Sequence, residues 1–138
     1  WLGHATVLVE VGGHWVLADP VWSDRVSPAS RVGPRRHHPV PLALRELPRL
    51  SAVLISHDHY DHLDTSTIEW LTRHQEVVFV VPLGIGSHLR HWGVPEARIV
   101  ELDWAGHTPS ATSSSPAPRP STSPGGSSRP TRRCGRRG

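Results

Sequence analysis

The 138-residue chain has no lysine, a single cysteine and no acidic side chain in its last thirty positions. Each of these absences narrows the reading. Cys134 alone cannot close an internal disulfide, so cysteine usage leaves the redox compartment undecided, with a lean to the cytoplasm. No apolar run reaches the ~18 residues needed to cross a bilayer, and no basic-then-apolar leader precedes a cleavage site, so no transmembrane segment is expected. The chain opens on Trp1 rather than methionine, which reads as a fragment or a processed chain. Its basic residues are all arginine, which points to a GC-rich coding sequence.

The formal charge of +3 and the isoelectric point near 10.4 resemble a nucleic-acid signal until the charges are placed along the chain. Residues 1–108 hold all twelve acidic side chains against nine arginines, a net charge of −3. The other six arginines lie in 109–138, so the high isoelectric point describes a tail, and no nucleic acid is expected as a partner of the domain. That tail also has eight serines, six prolines and four glycines, with no apolar residue larger than alanine or cysteine. It cannot bury enough surface to offset its ordering entropy, and disorder is expected. The division is a partial domain over 1–104 and a Ser/Pro/Arg-rich tail over 105–138. Three origins compete for the tail: an arginine arm that binds nucleic acid, an inert linker, or the product of a shifted reading frame.

Within the domain, Val7–Val11 and His14–Ala18 flank Gly12-Gly13, the pattern of a β-hairpin. Asp19-Pro20 should end the second strand, because proline cannot donate to a ladder. Residues 21–44 show neither helix nor strand period and read as a long loop, of the kind that is often functional. A short helix is expected over Leu42–Leu47. Leu50–Ser56 and Val77–Val81 are near-continuous apolar runs, the pattern of strands buried on both faces, and Arg98–Leu102 is a third. Between them a helix is expected from Asp64 or Ser66 to Arg73, with Ser66 and Glu69 at capping-box spacing, and another near Ser87–Trp92. Strand, helix and strand in alternation predict an α/β sheet with its site at the strand ends.

The stretch Ser56-His57-Asp58-His59-Tyr60-Asp61-His62-Leu63-Asp64 stands at such an end. Three imidazoles and a carboxylate within six residues have few uses besides holding metal. In an extended segment His57 and His59 leave from one side and can bite one ion. Asp61 and His62 come where the chain should turn, and can face a second. Imidazole with carboxylate suits zinc, with iron or manganese as other fits by ligand type.

His57-Asp58-His59-Tyr60-Asp61-His62 resembles the His-x-His-x-Asp-His signature of the metallo-β-lactamase fold. Trp1-Leu2-Gly3-His4-Ala5-Thr6, Asp19-Pro20-Val21-Trp22-Ser23 and Gly33-Pro34-Arg35-Arg36 extend the likeness to the branch containing N-acyl-phosphatidylethanolamine-hydrolysing phospholipase D and related bacterial hydrolases. The resemblance implies the N-terminal half of a four-layer αββα sandwich and a site for two zinc ions. His57 and His59 would hold the first ion, Asp61 and His62 the second. Asp58 would sit beside the metals as a proton-handling group, so that Asp58 and Asp61 form the catalytic pair. It implies a phosphodiester or other small ester as substrate, a phospholipid among them, and with that peripheral membrane contact.

The family's later ligands, a third His, a bridging Asp and a last His, are missing here. In this branch the third His follows a stretch like Glu101-Leu102-Asp103-Trp104, in a His-aromatic-Ser-Gly-Arg motif. Back-translating Ser121–Gly135 one base earlier makes Ser-Thr-Ser-Pro-Gly-Gly compatible with His-Phe-Ser-Gly-Arg, which favours the shifted frame. The chain as written is then expected to be inactive. Rival readings are a lactonase or other ester hydrolase on the same fold, and a non-catalytic module that binds metal, or nucleic acid through its arginine tail.

Other residues have weaker claims. His4 could approach the metals, with a histidine satisfied by backbone as the plainer role. Asp19 could orient a metal-binding histidine or simply form a turn. Arg35-Arg36-His37-His38 could meet a phosphate or be a solvated basic patch. His107 could complete a coordination sphere or be a surface histidine. Trp15, Trp22, Trp70 and Trp92 read as core or loop anchors. Gly84-Ile85-Gly86 is too short for a dinucleotide loop.

Overall fold

In a computed structural model, residues 1–27 and 33–103 are described. The expected disorder and frame shift of the tail, His107 and the middle of the long loop lie outside the described residues. The chain separates into two units, Trp1–Thr108 and Pro109–Gly138. The fold reported below is that of the first.

Two strands, β1 (Val7–Val11) and β2 (His14–Ala18), form the antiparallel hairpin, with Val11 opposite His14. Gly12 and Gly13 both adopt positive φ, 58° and 82°, which a tight two-residue turn requires and which side chains resist. Three further strands follow, β3 (Leu50–Leu54), β4 (Val78–Pro82) and β5 (Ile99–Leu102), with α1 (Thr65–His74) and α2 (Gly86–His91) between them. The sheet runs β1-β2-β3-β4-β5, parallel from β2 onward. Strand order advances in one direction, so right-handed crossovers lay both helices on the same face.

That face carries the core. Leu17, Val53 and Phe79, aligned across three strands, are fully buried, and Ile68 and Leu71 of α1 and Leu89 of α2 close over them. Each such side chain contributes about 1.5–3 kcal/mol by leaving water. Trp15, Trp22, Trp70 and Trp92 pack partly buried against this cluster, as anchors. Arg98 fastens the rear: its guanidinium donates to the carbonyls of Val77 (2.8 Å), Thr72 (3.0 Å) and Gln75 (2.7 Å), satisfying the end of α1.

The opposite face differs from expectation. Its rows are equally apolar, Val9, Val16, Ala52 and Val78 in one and Val7, Ala18, Leu54, Val80 and Val100 in the next. Yet no described element covers them: Val9 is 43% exposed, Leu54 40% and Val78 36%. β3 and β4 are therefore buried on one face only, although their composition is that of strands buried on both. One sheet and one helical layer make half of the four layers the resemblance implies.

Two local expectations are corrected. The helix over Leu42–Leu47 reduces to a single 3₁₀ turn, Leu44–Glu46, between Pro41 and Pro48. The Ser66–Glu69 capping box does not form: Ser66 Oγ donates to Asp64, and Glu69 pairs with Arg73 at 3.0 Å. The N-cap is Asp64, whose carboxylate is used elsewhere.

Identical truncations on the two faces should separate. Leu17→Ala is expected to cost about 2–5 kcal/mol, and Leu54→Ala less than about 1 kcal/mol, in urea unfolding of this chain. Equal costs would mean that the second face is covered.

Candidate metal centre

The centre is built where β2 and β3 end side by side. Asp19 follows β2 in a left-handed conformation, φ 44°, and its amide donates to Leu54 O at 2.9 Å, so pairing continues one residue past the strand. Buried Thr6 holds this corner from below, donating to Asp19 O at 2.8 Å and accepting from the amide of Val21 at 3.1 Å. The twist aims the Asp19 carboxylate at the first residues of the next loop. Its Oδ1 accepts the Ser56 amide at 2.7 Å and its Oδ2 the Ser56 hydroxyl at 2.8 Å.

The same Oδ2 lies 2.9 Å from His62 Nδ1. A carboxylate can only accept, so Nδ1 donates to it, and the ring, about four-fifths buried, turns its Nε2 toward Asp61. Asp19 is thus an orienting group as well as a turn residue. Ser56 Oγ also lies 2.8 Å from His57 Nδ1 and 3.2 Å from His62 Nδ1, joining both rings to the carboxylate.

Beyond Ser56 the chain winds into a tight turn, the amides of His62 and Leu63 both donating to His59 O at 2.9 Å. The turn gathers the predicted ligands. His57 and His59 have ring centroids 4.6 Å apart, and His57 and His62 3.9 Å. Donor atoms of His57, His59 and Asp61 all lie within 4.8 Å of one another. His62 Nε2 is 3.6 Å from Asp61 Oδ2. All four residues form one cluster, with Asp61 in reach of both histidine groups. Asp58 points its claim elsewhere, lining two clefts beside the cluster, each of which also contains His88 of α2.

A second carboxylate keeps the turn in place. Asp64 is buried at the base of α1 and accepts five hydrogen bonds, from the Trp22 amide (3.1 Å), the Ser23 amide (3.0 Å), Ser23 Oγ (2.8 Å), Ser66 Oγ (2.9 Å) and Thr67 Oγ1 (2.6 Å). Burial alone would raise its pKa. The donors, led by Thr67 and Ser23, outweigh burial and hold the carboxyl below its ordinary value.

The donor set fits a borderline cation. Imidazoles, one half-exposed carboxylate and a carboxylate-supported histidine are the ligand chemistry of zinc-type sites. A beta-lactamase superfamily domain model matches residues 14–136. The chain is a member of the metallo-β-lactamase superfamily. An uncharacterized protein of Mycobacterium tuberculosis is 61% identical over 104 residues, covering 75% of this chain and 28% of its own. N-acyl-phosphatidylethanolamine-hydrolyzing phospholipase D 1 of Caenorhabditis elegans is 42% identical over 108 residues, 75% of this chain and 30% of its own. A metal-dependent hydrolase of Metallosphaera sedula is 31% identical over 108 residues, 78% and 42%. A metallo hydrolase from Ignicoccus hospitalis superposes with a TM-score of 0.53 at 20% identity, over 75% of this chain and 38% of its own, and shares the fold. The chain thus spans 28% to 42% of the length of these proteins.

Ser56 and Thr6 carry no ligand signal by type, and Asp64, a carboxylate, reads from the sequence only as a helix cap. The available cue was adjacency: a Ser directly before the first histidine, opposite an Asp-Pro at a neighbouring strand end.

Two outcomes follow. Asp19→Asn should weaken zinc binding about 10- to 100-fold by calorimetry, through the lost support of His62. Because the Asp64 pKa is lowered in the folded state, its stabilisation is present above the unfolded carboxylate value and lost as pH falls through the folded one. Asp64→Asn should therefore be less stable than the parent at neutral pH, with the difference shrinking below about pH 4 in acid unfolding.

Proposed function

We propose that this chain is the metal-binding half of a zinc-dependent hydrolase of phosphodiesters, phospholipids among them, working in the cytoplasm at a membrane surface. The observation that supports it most is the cluster of His57, His59, Asp61 and His62 with its orienting pair Asp19 and Ser56. The name of the Caenorhabditis elegans relative favours a phosphodiester over a lactone. Among the described residues no helix is long and apolar enough to cross a membrane, so membrane contact in this reading is peripheral.

In this reading His57 and His59 hold one ion, and Asp61 and His62 a second. Bound there, the ions would lower the pKa of a water and neutralise charge on the reacting ester. The protein's own contribution is positional. Asp19 keeps the His62 proton on Nδ1, and Ser56 fixes the plane of His57. Asp58, on the wall of the adjoining clefts, takes the proton from the attacking water and returns it to the leaving oxygen. The described residues would supply two ligands to each ion, so in this reading zinc would be held weakly and turnover would be absent.

Zinc titration with metal analysis tests this. His57→Ala and His59→Ala should each lower affinity by more than the ~10- to 100-fold typical of losing a supporting partner. Hydrolysis of a chromogenic phosphodiester should be absent here and appear when the downstream frame is restored. Restored protein without stoichiometric transition metal would end the proposal.

A further inference from the structure

Beside the cluster, the N-terminal loop and the segment 36–41 enclose a cleft of about 480 Å³ whose walls are mainly apolar, among them Trp1, Leu2, Pro39 and Pro41. Arg36, His4 and His37 line the same cleft. Arg36 is half-buried there, and its partners are few. Its Nη2 donates to Val21 O at 2.5 Å, its Nε is buried with no hydrogen-bond partner, and among the described residues no carboxylate stands within ion-pair distance. The nearby acid that could have served, Asp64, spends both oxygens on the five donors named above. Its neighbour Arg35, by contrast, meets Asp24 on the surface at 3.7 Å.

Gly3 shapes the approach. It has φ 105°, and a Cβ there would come within 2.6 Å of Arg36 Nη1, so the guanidinium lies directly on bare backbone. The cleft and the metal cluster are close neighbours. The His4 ring is pushed toward its neutral form by desolvation and then by the Arg36 charge, while Asp61 pulls the other way. Asp64 and Asp24 act on the Arg36 charge only from beyond ion-pair distance, so the guanidinium stands at the edge of an apolar cleft with no described carboxylate in direct contact.

We propose that this cleft is an anion-recognition subsite, in which Arg36, flanked by His4 and His37, binds the charged oxygens of an amphiphilic phosphodiester whose apolar part rests against Trp1, Leu2 and the prolines. This deepens the reading above and depends on it only for the fate of the bound ester. Arg36 is a specificity residue here, because its permanent positive charge distinguishes a charged diester from a neutral lactone.

Calorimetric titration of the full chain in EDTA isolates the subsite from any metal. Dihexanoyl phosphatidylethanolamine below its micelle concentration and inorganic phosphate are the two probes, distinguishing a lipid headgroup from free phosphate. The phosphodiester should bind, with phosphate at least about tenfold weaker because it leaves the apolar walls empty. R36Q should weaken diester binding about tenfold or more, and R36K less. H37A, on an exposed side chain that does not endanger folding, should weaken it about threefold. Zinc content of R36Q should match the parent.

Diester affinity within twofold of the parent in both R36Q and H37A overturns the proposal. So does phosphate binding as tightly as the diester, or loss of zinc together with the diester in R36Q. A chain that binds no zinc yet keeps Arg36-dependent diester binding would sink the hydrolase reading and leave this one standing.

Discussion

A carboxylate at the end of a strand decides the geometry of this molecule. Asp19 sits where two parallel strands finish, in a left-handed conformation that only Thr6 below and the Leu54 carbonyl beside it make affordable. From there its two oxygens reach the Ser56 amide, the Ser56 hydroxyl and His62. One side chain therefore fixes the start of the histidine turn, its first bend and the hydrogen bonding of its last histidine. The strained backbone at Asp19 is explained by this use: a residue in an ordinary extended conformation would continue β2 and point its side chain away from Ser56.

Much of this arrangement was readable in advance, and the parts that were not share a cause. The hairpin, the three parallel strands and both helices announce themselves by apolar period and by glycine and proline punctuation, which are local signals. His57, His59, Asp61 and His62 announce themselves by type and spacing. Asp19 carried two equal local meanings, turn or support, and only the pairing of β2 with β3 brings it to Ser56, thirty-seven residues away. The supposed capping box failed for a related reason. Ser66 had two competitors outside the four-residue box, Asp64 just before it and Ser23 from a distant loop.

Strand composition was informative in a less direct way. β3 and β4 are as apolar as strands enclosed on both sides, yet the described residues enclose one side. Composition recorded the environment for which the strands are suited. The relatives, of whose length this chain spans 28% to 42%, have the additional chain that a second layer would need. Among the described residues the cluster of His57, His59, Asp61 and His62 has its orienting partners in place on the side of the sheet end where Asp19 and Ser56 lie.

Asp64 has a consequence of a different kind. Its five donors come from the Asp19–Ser23 loop on one side and from the first turn of α1 on the other. Those two segments flank the histidine turn, and a carboxylate pinned by both cannot follow one of them outward without abandoning the other. Loosening at this end of the protein is thus cooperative: the loop, the turn and the helix start open as one unit or stay shut. The histidines accordingly experience either their full scaffold or none of it, which is the condition under which a coordination site keeps a single geometry while the rest of the surface breathes.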